Sequence, residues 1–167
     1  MSRTEIELRE LDFVTIGTIG PKGQRVFHLQ AGYGSQILTF IIEKEQAWAL
    51  AEAIRQVIDD YDERNDTTTT VEMAALDMEL REPIQPLFRV AQMGLALDEE
   101  AQMIILIAQE MLSATESDEE GAEPEPGIAR MWGTLPQMRA LSLHAMDTVE
   151  QGRPSPRQNG RITYYWM

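Results

Sequence analysis

Residues 13–44 read FVTIGTIGPKGQRVFHLQAGYGSQILTFIIEK, and they decide the fold class. Phe13 to Ile19 is rich in β-branched and aromatic residues, the composition of a strand. Gly20-Pro21-Lys22-Gly23 follows, with Pro suited to the second position of a turn and Gly to the fourth. Gln24 to Ala31 reads as the next strand: Phe27, Leu29 and Ala31 alternate onto one face, and Val26, His28 and Gln30 onto the other. Gly32-Tyr33-Gly34-Ser35 is a second turn and Gln36 to Ile42 a third strand. The period then changes. From Lys44 to Tyr61, residues Ala47, Leu50, Ile54, Val57, Ile58 and Tyr61 mark one face of an amphipathic helix. The unit is βββα.

Further along, the same order recurs. Phe88 to Met93 reads as a strand ending at Gly94, and Asp98-Glu99-Glu100 as a turn. Met103 to Ala108 is an almost continuous apolar run, which suits a strand buried on both faces. Ile128 to Gly133 leads into a helix whose start is marked by Thr134, Pro136 and Gln137, the pattern of a capping box. Letters match between the halves: Thr18-Ile19-Gly20 against Gln92-Met93-Gly94, and Gln46-Ala47-Trp48-Ala49-Leu50 against Gln137-Met138-Arg139-Ala140-Leu141. The expectation is an α+β protein of two βββα repeats, 13–61 and 88–150, related by a pseudo-twofold axis. They form one domain, 1–150, with a mainly antiparallel sheet and a linker at 62–87. Within the linker, Ala74 to Glu82 reads as a short helix. Ser113 to Gly127 is acidic, poor in apolar residues and reads as a solvated loop.

Composition narrows the function classes. At 167 residues the chain is long enough to bury a core unaided. It has no cysteine, so disulfides and thiol chemistry are excluded. No signal-peptide pattern follows Met1, and no run reaches the length of a membrane span, so the expected location is the cytoplasm. A net charge of −14 repels phosphate backbones and anionic lipid heads, which disfavours nucleic-acid and membrane partners. The charge is uneven: residues 151–167 carry three arginines and no acid, while the other 150 residues hold 11 basic and 28 acidic side chains, a balance of −17.

No catalytic constellation stands out. Gly17, Gly20 and Gly23 lie between two strands, where a phosphate loop would need a helix N-terminus. His28 and His144 have no metal-ligand spacing and no paired nucleophile. Glu43 and Glu45 begin the first helix, where carboxylates offset its dipole. No catalytic residue, metal or cofactor is expected from these residues. The weak ligand-binding candidates are His28, Gln30 and Lys44, polar groups placed to line a seam between the repeats. The tail is different. Arg153, Arg157 and Arg161 accompany Tyr164, Tyr165 and Trp166, the residue types of contact hot spots. They are expected to serve a protein partner or self-association into a homo-oligomer; the alternative is an extended tail packed on the chain's own acidic body.

Phe13, Gly17-Thr18-Ile19-Gly20, Phe27-His28-Leu29-Gln30-Ala31 and Glu43-Lys44-Glu45-Gln46 together resemble one family, as do Phe88-Arg89-Val90, Met93-Gly94-Leu95 and Gly152-Arg153-Pro154. It is the domain-of-unknown-function 3090 family of Actinobacteria and Chloroflexi. The resemblance runs from Phe13 to Gly160 and implies a bacterial cytoplasmic protein with no assigned activity. Many relatives follow Gly-Arg-Pro with close cysteines and a histidine that look like a small zinc site. Here Gly152-Arg153-Pro154 runs directly into Ser155-Pro156-Arg157-Gln158-Asn159-Gly160, so no metal role carries over. The expected function is a non-enzymatic binding or adaptor module. The second reading is a small-molecule sensor or enzyme with its site between the repeats.

Overall fold

The computed structural model describes residues 4–21, 23–112 and 125–151. Among these residues are seven strands and two long helices: β1 (Glu5–Leu8), β2 (Phe13–Ile19), β3 (Val26–Tyr33), β4 (Gln36–Ile42), α1 (Lys44–Asn65), β5 (Pro86–Asp98), β6 (Met103–Glu110), β7 (Ile128–Thr134) and α2 (Leu135–Gln151). The class is α+β. The sheet is mixed, however, with the order β1-β7-β6-β5-β4-β3-β2. β2–β3–β4 and β5–β6–β7 are antiparallel, whereas β4–β5 and β1–β7 are parallel. The parallel pair β4–β5 arises because α1 and the linker return the chain to its starting end before β5 begins.

This sheet cannot be flat. β1 and β2 stand at opposite ends of the strand order, which in a flat sheet would lie about 29 Å apart at ~4.8 Å per strand. Yet Leu8 and Phe13 are five positions apart in sequence, a reach of at most about 18 Å. The sheet therefore curls until its ends approach. α2 lies along β2 in the remaining seam, where Gln137 Nε2 donates to Leu11 O at 2.6 Å. β5 is the strand around which the curl turns. Phe88 and Arg89 pair with β4, the register slips at Ala91, and Gln92 to Asp98 pair with β6. A bulge of this kind bends a strand and increases its twist.

The concave face holds the core. Ile16, Leu29 and Phe40 face one another across β2, β3 and β4, and Phe40 continues the row to Phe88 on β5. A second row runs Leu95, Leu106, Met131 and, across the parallel pair, Leu8. α1 and α2 fill the interior between the rows and pack on each other, and the buried Ser142 hydroxyl donates to Ala51 O at 2.7 Å.

Several sequence expectations change. β1 was not foreseen. β5 runs straight through Gly94, and α1 continues to Asn65. β6 is not buried on both faces: Ile104, Leu106 and Ala108 are buried, while Ile105 and Ile107 on the convex face are half-exposed. The linker helix reduces to a 3-10 turn at Met73–Ala75. Beyond it the chain forms an extended strap, residues 76–84, over the convex face of β2 and β3. Of the acidic loop 113–127, only its last residues are described.

Side chains hold the strap where backbone pairing does not. Gln30 Nε2 donates to Arg81 O at 2.8 Å and to Thr39 Oγ1 at 3.1 Å, and Arg81 N–H donates back to Gln30 Oε1 at 2.7 Å. The Arg81 guanidinium stacks 3.8 Å above the Phe13 ring. Strap entry is fixed by Asp62, whose carboxylate accepts from Thr69 N–H and from the Thr67 and Thr69 hydroxyls. Burial alone would raise the Asp62 pKa. The Thr69 N–H, the two hydroxyls and the Arg139 charge outweigh it and hold the carboxyl below its ordinary value.

Candidate functional site

α1 runs beside β5 in the same direction, from Gln46 next to Val90 to Arg64 paired with Glu99. β4 stops pairing with β5 at Ile41↔Arg89. From Ala91 onward, no strand among the described residues pairs with the side of β5 that faces away from β6. Between that open strand edge and α1 lies a groove of about 510 Å³. Its helix wall is Gln46, Ala49, Ala53 and Val57, and its strand floor Ala91 to Leu95. Small side chains keep it open: a Cβ placed on Gly94 would meet nothing within 4 Å.

The polar groups of the groove sit at its end and rim. Gln46 Oε1 accepts from the backbone N–H of Glu43 at 2.8 Å, closing the helix start. Its Nε2 donates to Val90 O at 3.2 Å and more weakly to Ala91 O. Gln92 is bonded to Gln109 at 2.8 Å on the convex side. Residues 91–95 offer about 13 Å of strand, room for four or five extended residues. An apolar channel with backbone donors and acceptors along one wall suits an extended polypeptide.

A second helix–strand space has the same construction. α2 lies along β2 with Gln137 at its start: Gln137 N–H and Oε1 bond with Thr134 as foreseen, and Nε2 tethers Leu11 O. Here the space is occupied. Ala75 to Met78 of the strap approach lie between β2 and the Gln137–Ala140 turn, leaving a remnant of about 140 Å³. Thr15 Oγ1 donates to Met78 O at 2.6 Å. Leu80 sits so close over Gly17 that a Cβ there would fall 2.6 Å from Leu80 Cγ. At the far end a hollow of about 470 Å³ remains, walled by Leu80, Ile84, His144 and Thr148.

The structure does not bring the sequence candidates together. Gln30 is consumed by the strap. His28 is buried beside it, with Nδ1 2.9 Å from Val26 O. Lys44 lies apart, at a hollow shared with Arg25, Glu45 and the Arg89–Glu43 ion pair of 2.7 Å. Gly20 and Gly23, with φ of 112° and 90°, make the β2–β3 hairpin turn. Among the described residues, no three His, Asp or Glu side chains are grouped to hold a metal, and no helix is long and apolar enough to cross a membrane. Arg153, Arg157, Arg161, Tyr164, Tyr165 and Trp166 lie outside the described residues. Sequence reasoning missed the groove itself. Its one signal was the pair of alanines, Ala49 and Ala53, one turn apart beside the apolar stripe of α1.

These features define an α+β protein whose curled mixed sheet carries, among the described residues, one helix–strand channel filled by its own chain and one left open. The chain belongs to the DUF3090 family of proteins of unknown function, which it matches over residues 6–160. No curated protein and no solved structure matches it.

Proposed function

We propose that this chain is a binding module whose open α1–β5 groove receives an extended polypeptide segment. The observation that carries the reading is the α2–β2 channel, where a segment of that kind is already seated. The two halves are, in this reading, copies related by an approximate twofold along the axis of the curl. The buried rows Ile16–Leu29–Phe40–Phe88 and Leu95–Leu106–Met131–Leu8 then correspond, and Gln46 and Gln137 are counterparts that each cap a helix and tether a neighbouring carbonyl. A parallel β4–β5 pair is what such an axis requires, because rotation about the axis of a curled sheet preserves strand direction.

The test is a selection from displayed random decapeptides. It uses the full chain with Tyr164, Tyr165 and Trp166 changed to Ser, so that the tail contributes no contacts of its own. Selected peptides should be extended and apolar. Ala53→Arg, which fills the groove with a charged side chain, should weaken them at least tenfold, while Arg55→Glu on the exposed helix side should not. Equal binding to Ala53→Arg, or no selected peptide at all, would sink the reading.

A further inference from the structure

The strap occupies its channel by a definite route. It leaves α1, passes the start of α2, where Arg139 Nε donates to Thr69 O at 3.3 Å, and then runs along α2 to Leu80 over Gly17. Asn65 and Leu80 are 15 positions apart. α2 ends at Gln151, and residues 152–167 follow it, 16 positions to Met167. If the halves correspond, the segment after α2 faces the route that the strap takes after α1. That route passes the start of α1 at Glu43–Glu45 and enters the groove beside Gln46, Ala49 and Ala53.

The residues at the right distance have the right chemistry. Arg161-Ile162-Thr163-Tyr164-Tyr165-Trp166-Met167 is a run of β-branched and aromatic residues, the composition most suited to lying extended against a strand edge. Its large apolar side chains suit a lining in which Ala49, Ala53 and Gly94 leave room beside Val57, Met93 and Leu95. The three arginines and absence of acids in 152–167 oppose a body of net −17. Gly94, in the groove floor, pairs with Ile107, so an occupant there also shelters the half-exposed convex face of β6.

We infer that residues 160–167 of this same chain occupy the α1–β5 groove and cap it against other segments. The inference rests on the groove reading above and names the occupant. A module capped in this way is self-inhibited: an outside peptide competes with a tethered one, whose effective concentration reaches the millimolar range for short linkers.

The absence of cysteine permits a direct test in the full chain. Ala53→Cys is combined in turn with Gln158→Cys, Thr163→Cys and Met167→Cys, and each protein is oxidised under mild conditions. At least one pair should form an intramolecular disulfide in monomeric protein, well above the control in which Arg55→Cys replaces Ala53→Cys. In parallel, a peptide selected as above should bind the native chain at least tenfold more weakly than the triple Ser variant, because the native tail competes. Disulfides that join two chains would make a second copy the occupant and overturn the inference. So would cross-linking no better than the control together with equal peptide affinities, and the groove reading would then survive alone. Failure of any peptide to bind either protein, with intramolecular cross-linking intact, would leave the tail in place and remove the general binding role.

Discussion

Gln30 shows what a single side chain can do when its surroundings come from far away in sequence. Its amide makes three hydrogen bonds, two of them to the backbone of Arg81, 51 positions later. Gln30→Leu would leave that N–H and C=O without partners, at a cost of about 2 kcal/mol. Urea denaturation should show this loss, together with faster hydrogen exchange at Arg81. From the sequence Gln30 could be placed on the convex face of β3, but its partner could not be found, because nothing local identifies the strap as its cover. That is why it read as a ligand-binding candidate. Asp62 gives a pH prediction. Its folded pKa lies below the ordinary 3.8, so the stability it confers is present above that value and is lost as pH falls through the lower, folded pKa. Asp62→Ala should cost about 2 kcal/mol at neutral pH, the worth of hydrogen bonds to a charged acceptor. The gap between native and variant should close on acidification below about pH 4. A gap that stays constant down to pH 2 would refute the assignment.

Helices and strands were more legible than side-chain roles, and the exceptions share a cause. β2 and β4 follow their predicted limits because each is bounded by turn chemistry or a helix cap. β1 escaped notice because four residues, Glu5 to Leu8, carry too little pattern, and its pairing strand begins at Ile128. β5 was cut short at Gly94 because glycine weakens an isolated strand, whereas here pairing to β6 carries it on to Asp98. The match of Gly20 with Gly94 accordingly joins a turn to a strand interior, while the match of Gln46 with Gln137 joins two residues with one role. That role can be measured. Gln46→Ala and Gln137→Ala each remove a helix-start bond and a tether to a neighbouring carbonyl, so each should cost about 1 kcal/mol. Gln137→Ala should cost the more, since its tether to Leu11 is the shorter. Equal or negligible losses in thermal unfolding would show that the tethers carry no load.

At the scale of the whole molecule, the succession of three strands and a helix over 13–65 and over 86–151 was readable because each stretch carries a change of period, while the curl was not, because closure depends on which edges meet. β5 belongs to both halves, pairing with β4 at one end and β6 at the other. The body should therefore unfold as one unit. Trp48 on α1 and Trp132 on β7 report on opposite halves. Their fluorescence, read from single-tryptophan variants, should change at the same midpoint as the far-UV circular dichroism. Two separated midpoints would mean that the halves are independent. The parallel pair of β1 with β7 also constrains the protein while it is being made. Glu5 pairs with Ile128, 123 positions later. On the ribosome, the first strand must wait for nearly all of the body to be synthesised before its partner exists, with alternating Ile6 and Leu8 uncovered throughout. At about 5–20 residues per second that interval lasts on the order of ten seconds. The glutamates interleaved with the apolar residues of this early segment give it resistance to premature pairing with other nascent chains during that wait.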